Sequence, residues 1–321
     1  MNKSILIVGL GSVGKFHLIS ILRSKKKLDI TLVDSSNKAL NDSYIIFKEN
    51  KNHHRHNLNL IDNINAINEK YDIALLAVSS DVRFKIFKKI NSISKIKFFI
   101  LEKFLFQKIS EYNLTKKIIN EKKIKVWVNC IRRTFKIYKD IKRNKKKNEK
   151  FDIHLKGKEW GLACNSIHFI DLFCWLNNYR HVDLQNELLH NKIFNSKRNG
   201  YIEFYGTVLG KKNNNVLSMS CSKDKKKSLS ITLESKDKLI NINELEGIIT
   251  IKSKDRDRSM NFEPPKVSNL TLPVVNDIFN KRKCDLPTFS EAEELHISLL
   301  ECFINKAQLI KKKKLNQLRI T

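Results

Sequence analysis

No apolar run in the 321-residue chain approaches the ~20 residues of a membrane-spanning helix. The short apolar stretch near the N-terminus is interrupted by glycines and is too short for the core of a secretion signal. Six cysteines (Cys130, Cys164, Cys174, Cys221, Cys284 and Cys302) form no C-x-x-C pair and no regular framework, which argues for reduced thiols rather than a disulfide scaffold. Together these absences predict a soluble, cytoplasmic protein without a membrane partner. Acidic residues are also short, 33 against 62 Lys and Arg, for a net charge of +29. Such a balance attracts polyanions. Yet the lysines are spread along the whole chain among Asn and Ile, and no compact arginine-rich or aromatic-basic module appears. A compositional bias with a solvated basic surface is the simpler reading, so no nucleic-acid partner is expected, although the charge would help to draw in an anionic substrate. His53-His54-Arg55-His56 is not a metal site on this reading: adjacent histidines cannot all face one ion, and no partner acids lie nearby. It is expected to be an exposed loop, and no metal is predicted. There is no internal repeat. What is present is 41% hydrophobic residues with 18 Phe, enough for a core and, at this length, for two domains.

The most informative stretch is the start of the chain. Lys3 to Val8 is a short apolar run, followed without a gap by Gly9-Leu10-Gly11-Ser12-Val13-Gly14 and then by Phe16, Leu18, Ile19 and Leu22 at helical spacing. Strand, G-x-G-x-x-G, helix is the context that gives this motif its meaning. Gly9 permits the tight turn, Gly11 lets a pyrophosphate approach the backbone, and Gly14 lets helix and strand pack closely. The amides at the helix start, those of Ser12 and Val13 among them, then face the phosphates. Leu28 to Val33 reads as the next strand and ends in Asp34, about 20 residues beyond Gly14, where a carboxylate accepts hydrogen bonds from the adenosine ribose and repels a 2′-phosphate. The motif therefore predicts dinucleotide binding, with NAD favoured over NADP.

The first ~125 residues alternate strands and helices, the pattern of a parallel sheet. Tyr44 to Phe47 reads as a third short strand, Tyr71 to Val78 contains a fourth, Ile96 to Leu101 is a fifth, and Ile124 to Val128 a sixth. Ligands gather beyond the carboxyl ends of such strands, and Gly9, Asp34, Ser79 and Glu102-Lys103 all fall there. The rhythm changes from Trp127. Lys136 onward is a basic helix with Tyr138, Lys145 to Lys150 a solvated turn, and Gly161 to Leu176 contains a helix. Strands dominate from Asn191 to about Ser253, and Pro264-Pro265 marks an extended loop. Within the 161–176 helix Ala163, Ile167, Ile170 and Cys174 form an apolar stripe, while Asn165, His168, Asp171 and Trp175 fall on another face. His168 there is either a partly buried structural histidine or a residue presented to a pocket. The residues alone leave both open.

These pieces in this order resemble the glucose–fructose oxidoreductase / inositol dehydrogenase (Gfo/Idh/MocA) family. Gly9 to Gly14 is similar to its opening motif, Glu102-Lys103-Phe104 to its Glu-Lys-Pro motif, and the helix bearing His168 and Asp171 to its catalytic helix. Arg198 to Phe204 and the segment from Pro287-Thr288 to His296 are also family-like, so the match covers nearly the whole chain. The resemblance implies an α/β protein with an N-terminal Rossmann domain (a doubly wound parallel sheet), residues 1–125. It also implies a C-terminal α/β domain, residues 126–321, with a large, mostly antiparallel open sheet for substrate binding and homodimer or homotetramer formation. The C-terminal helix is expected to pack back on the body.

The same resemblance implies hydride transfer between NAD(P) and a hydroxyl or keto carbon of a sugar or nucleotide sugar. Lys103 and His168 would be catalytic. Gly9, Gly11, Ser12, Val13, Gly14, Asp34, Ser79 and Glu102 would hold the cofactor, and Arg132, Asn165 and Asp171 the substrate, with Arg133, Tyr138 and Arg198 as further substrate candidates. Two departures stand out. Phe104 replaces the family's proline, and Cys164 stands four residues before His168 where the family often has Asp. The Ala-Cys-Asn-x-Ile-His variant is similar to members associated with surface-polysaccharide sugars. Three rival readings are an imine or enone reductase of the biliverdin-reductase kind, a non-catalytic dinucleotide-binding protein, and a basic nucleic-acid binder.

Overall fold

The computed structural model describes residues 2–67, 70–254 and 257–321. The first half runs β1 (Lys3–Val8), α1 (Ser12–Ile21), β2 (Leu28–Val33), α2 (Asn37–Glu49), β3 (Asn57–Ile61), β4 (Tyr71–Leu76), α3 (Ser80–Ile93), β5 (Ile96–Leu101), α4 (Ile109–Lys122) and β6 (Lys125–Val128). The second half runs α5 (Lys136–Arg143), β7 (Asp152–Lys158), α6 (Leu162–Asn177), β8 (Asp183–Gln185), the two-residue pair β9 (Phe194–Asn195) and β10 (Ile202–Glu203), β11 (Gly206–Lys212) and β12 (Asn215–Ser222). It closes with β13 (Ser228–Glu234), β14 (Lys238–Asn243), β15 (Ile248–Ser253), β16 (Arg258–Asn261), α7 (Thr271–Lys281) and α8 (Phe289–Lys311).

Two compact units result. One holds Met1–Phe106, Ser110–Asn129 and Pro265–Ser290, the other Gln107–Ile109, Cys130–Pro264 and Glu291–Thr321. No single cut separates them, because the segment bearing α7 returns to the first unit. Its sheet has the order β3-β2-β1-β4-β5-β6 and is wholly parallel. The central strands β1 and β4 are near-continuous apolar runs, Ile5-Leu6-Ile7-Val8 and Ile73-Ala74-Leu75-Leu76, all buried, as a parallel strand covered on both faces requires. The second unit's sheet, β16-β15-β14-β13-β7-β12-β11-β8, is antiparallel except for the parallel β7–β12 pair. The chain is thus α/β, with the doubly wound and mostly antiparallel sheets expected from the sequence.

The third strand is a correction. Tyr44 to Phe47 lies inside α2, whose N-cap Ser36 accepts a hydrogen bond from Ala39 N–H at 3.3 Å. Leu40, Ser43 and Phe47 are the buried positions, a helical spacing, and Ile45 points to solvent at 52% exposure. The actual strand, Asn57–Ile61, pairs only with β2 at the sheet edge and alternates Asn with Leu, so it lacks the apolar run that marks its neighbours. The histidine segment is also corrected in part: His53–Arg55 is one 3-10 turn and His56 is buried.

The basic stretch before β7 is not simply solvated. Lys142 and Lys145 donate to the carbonyls of Trp175 (2.6 Å) and Leu176 (2.7 Å), and Lys150 donates to that of Asn177. These are successive carbonyls in the last turn of α6, where a helix runs out of its own donors; that of Trp175 also accepts the Asn178 N–H at 3.4 Å. Three ammonium groups therefore cap the negative end of that helix.

Candidate active site

In the first unit, α1 starts at Ser12 with Gly11 as its N-cap, and no side chain caps the first turn. Gly9 has φ +90°, and a Cβ there would lie 2.7 Å from the Val78 nitrogen. A Cβ on Gly14 would lie 1.9 Å from the Gly9 carbonyl oxygen, whereas one on Gly11 would meet nothing within 4 Å. The loop is therefore closed on its inner side and open at Gly11, beside the unsatisfied amides of a helix start. That is the shape a phosphate needs. Asp34 accepts hydrogen bonds from the backbone N–H groups of Leu10 (2.6 Å) and Ser36 (2.9 Å), tying the glycine loop to the end of β2. A carboxylate offers about four acceptor sites, so capacity for ribose hydroxyls remains.

A cavity of about 640 Å³ opens here, lined among others by Gly9, Asp34, Ser35, Asp62, Ile64 and Val82. Apolar walls beside two carboxylates suit an adenosine. The residues present therefore fit a dinucleotide's adenosine half. Asp62 is a lining residue that sequence reasoning missed. Val33 is register-paired with Ile61 and Asp34 N–H donates to the Ile61 carbonyl, so Asp34 and Asp62 follow neighbouring strand ends. The signal was hidden by the misassigned third strand.

Ser79 precedes α3 as its N-cap without a side-chain cap bond. Glu102 and Lys103 follow β5 directly. Glu102 is buried and accepts hydrogen bonds from His17 Nε2–H at 3.1 Å and from the Asn129 side-chain amide. The other His17 nitrogen bonds Thr271 Oγ1 at 2.7 Å. Burial by itself would raise the Glu102 pKa, but the hydrogen bonds and charge of His17, helped by Asn129 and Arg83, hold it below the ordinary range. Lys103 is partly exposed, while the next three residues, Phe104, Leu105 and Phe106, are wholly buried. The Lys103–Phe104 peptide is cis. The carboxyl edge of one sheet thus gathers Gly9, Gly11, Ser12, Val13, Gly14, Asp34, Ser79, Glu102 and Lys103.

The remaining candidates belong to the second unit. Helix α6 is buried on nearly every face, with His168 at 8% and Asp171 at 1% exposure, so its polar side does not face solvent. Asp171 is bound bidentately by Arg133, at 2.7 and 2.8 Å, and Arg133 reaches Glu291 at 3.1 Å. Burial pushes Asp171 up to about 6 against the pull of Arg133. Arg132 forms its own bidentate pair with Glu244 (3.0 and 2.8 Å) and lies over the Phe169 ring, 4.0 Å from its centroid. Tyr138 donates to Glu244 at 2.6 Å, and burial with the adjacent carboxylate raises its phenol well above the usual range. Asn165 donates to the Trp160 carbonyl at 2.6 Å. Arg198 is exposed and lies over Tyr201.

Two residues that sequence reasoning left aside complete this picture. Glu203 is buried and accepts the Ala163 amide at 2.5 Å and the Phe204 amide at 2.9 Å, placing a carboxylate at the positive end of α6. Glu244 binds both Arg132 and Tyr138. Cys164 is half-buried, its Sγ 3.7 Å from the Gly161 carbonyl. Among the described residues, no group of three or more His, Cys, Asp and Glu could hold a metal ion, and no helix is long and apolar enough to cross a membrane.

No protein-family model and no curated protein sequence matches the chain. Solved structures do match it over nearly its whole length. An oxidoreductase from Agrobacterium radiobacter in complex with NAD+, L-tartaric acid and magnesium aligns with a TM-score of 0.74 at 11% identity, covering 96% of this chain and 97% of that one. The chain shares the fold of this solved oxidoreductase. Similar to it too is the UDP-N-acetylglucosamine 3-dehydrogenase GnnA from Acidithiobacillus ferrooxidans (TM-score 0.70, 12% identity, 94% and 97% of the two chains). The biliverdin reductase from Synechocystis, in complex with biliverdin and NADP+, aligns at 0.71 and 12% over 94% and 98% of the two chains.

Proposed function

We propose that the chain is an NAD-dependent oxidoreductase acting on a hydroxyl or keto carbon of a sugar or nucleotide sugar. The observation that carries this reading is the open cradle at Gly11 on the same sheet edge as Asp34 and Lys103. Ser12 and Val13 amides hold the diphosphate, and Asp34 the ribose. Asp62 adds a second carboxylate to the same cavity, so a 2′-phosphate meets two like charges and NAD is preferred. Ser79 and Glu102 line the approach to the nicotinamide half.

When bound, NAD supplies a hydride acceptor. The chain's residues do the rest. Lys103 Nζ hydrogen-bonds the reacting oxygen and stabilises its developing negative charge. The imidazole of His168 takes the hydroxyl proton in oxidation and returns it in reduction. Arg132 and Asp171, with their hydrogen-bonding groups bound to Glu244 and Arg133, act on the substrate by fixing the wall around it, and Asn165 anchors the start of α6. A diphosphate-bearing sugar, of the kind used to build surface polysaccharides, suits the basic chain and competes with Glu244 for Arg132. We assign a cytoplasmic location and a homodimer or homotetramer through the second sheet, which sedimentation velocity would test.

Titration with NADH and NADPH, followed by turnover with a panel headed by UDP-N-acetylglucosamine, tests the assignment. His168→Ala should lower turnover roughly 10²–10⁴-fold with NADH affinity retained. Undiminished turnover removes His168 from its role, and failure to bind either nucleotide removes the whole reading.

A further inference from the structure

We infer that Arg83, on α3, is a positioning residue that fixes the loop carrying Lys103. The inference rests on the role given to Lys103 above. Arg83 is 2% exposed. Nη1 donates to the carbonyl of Phe104 and, at 2.8 Å, to that of Leu105, while Nη2 donates to the Val78 carbonyl at 2.5 Å. Arg83 therefore joins the end of β4, which borders the glycine loop, to the two residues after Lys103.

A buried guanidinium spent on three backbone carbonyls is costly to desolvate. What it supplies is donors for the oxygens of peptides that lie past the ends of β4 and β5. The chain's four prolines all lie beyond residue 260, so no proline ring presets this backbone. On the near side of Lys103, Glu102 is held by His17 and Asn129. On the far side, the Tyr112 hydroxyl donates to the Phe106 carbonyl at 3.1 Å and accepts from its amide at 3.3 Å. Arg83 fills the interval between these anchors. Holding the backbone on both sides of Lys103 fixes where its side chain starts, and positioning errors of about 1 Å can cost on the order of 10²-fold in rate.

The test compares the full-length protein with Arg83→Met, Arg83→Lys and Lys103→Met. Peptide-resolved acetylation by acetic anhydride gives the reactivity of the Lys103 amine beside that of the other lysines, and NADH titration reports an intact nucleotide site. Expected for Arg83→Met are an altered Lys103 rate with other lysines unchanged, parent-like NADH affinity, and turnover with NAD and UDP-N-acetylglucosamine lowered roughly 10–100-fold. Arg83→Lys, able to reach fewer carbonyls, should recover part of both. A Lys103 rate equal to the parent's in Arg83→Met overturns the inference. If that variant does not fold, Arg83→Gln takes its place, and a parent-like Lys103 rate there overturns the inference as well. Full turnover by Lys103→Met would sink the catalytic reading of Lys103, while the labelling rates would still decide whether Arg83 fixes the loop.

Discussion

Replacing Gly11 with alanine separates two explanations of the glycine loop, a phosphate cradle and a tight turn. The new methyl group would meet nothing within 4 Å, and Gly11 has φ −65° and ψ −171°, which alanine adopts without strain. Two small effects on folding oppose each other. Alanine is a poorer N-cap, at roughly 0.5–1 kcal/mol, and it restricts the unfolded chain, a gain of about 0.4–1 kcal/mol. Thermal unfolding should therefore barely move. Nucleotide binding should suffer instead, because the methyl occupies the space through which phosphate oxygens reach the helix amides. Losing one charge-assisted hydrogen bond costs about 1.5–3 kcal/mol, or roughly 10- to 100-fold in Kd. Isothermal titration with NADH beside a melting curve reads both quantities. Parent-like affinity would refute the cradle, and a large loss of stability would mean that the loop is tighter than its geometry indicates. Gly14→Ala is the contrasting case: its methyl falls 1.9 Å from a backbone oxygen, so it should destabilise by roughly 1–3 kcal/mol.

Asp171→Leu leaves Arg133 buried with only the half-exposed Glu291 as partner and should cost roughly 3–5 kcal/mol in urea unfolding. A loss below about 1 kcal/mol together with a raised KM would make Asp171 a substrate ligand instead. Glu102 has a lowered pKa when folded, so near its unfolded value of about 4.3 the unfolded chain binds more protons. Its stabilisation is complete above that pH and is lost as the pH falls through the folded value. His17→Leu should therefore flatten the acid limb of urea midpoints between pH 6 and 3, and an unchanged slope would discount the pair. Lys145→Met removes one cap from α6 and should cost a few tenths to about 1 kcal/mol, less at high salt. Salt-independent loss would point to packing of its stem.

Strands such as Ile5–Val8 and Ile73–Leu76 were legible because a buried parallel strand must be apolar throughout. The glycine loop was legible because its spacing is dictated by local sterics. Asn57–Ile61 was not, since an edge strand needs little apolar surface, and a helix containing Tyr44-Ile45-Ile46-Phe47 imitates a strand over four residues. Among candidate residues, the sequence put Glu102 and Lys103 at a strand end, where topology alone locates ligands. It could not show that Lys142, Lys145 and Lys150 cap a helix some 30 residues away, or that Arg132 and Asp171 are bound to Glu244 and Arg133. In a chain with 62 Lys and Arg, no local pattern distinguishes a buried cation from a solvated one.

The sequence by itself determined the alternating pattern, the glycine turn and the acid after the second strand, because each depends on contacts within a few residues or on strand period. Only the tertiary structure decided the partners of Glu102, Asp171 and Arg83, and the return of residues 265–290 to the first unit. Those depend on hydrogen bonds and packing between segments tens to hundreds of residues apart, where the choice of partner is made by burial and not by spacing.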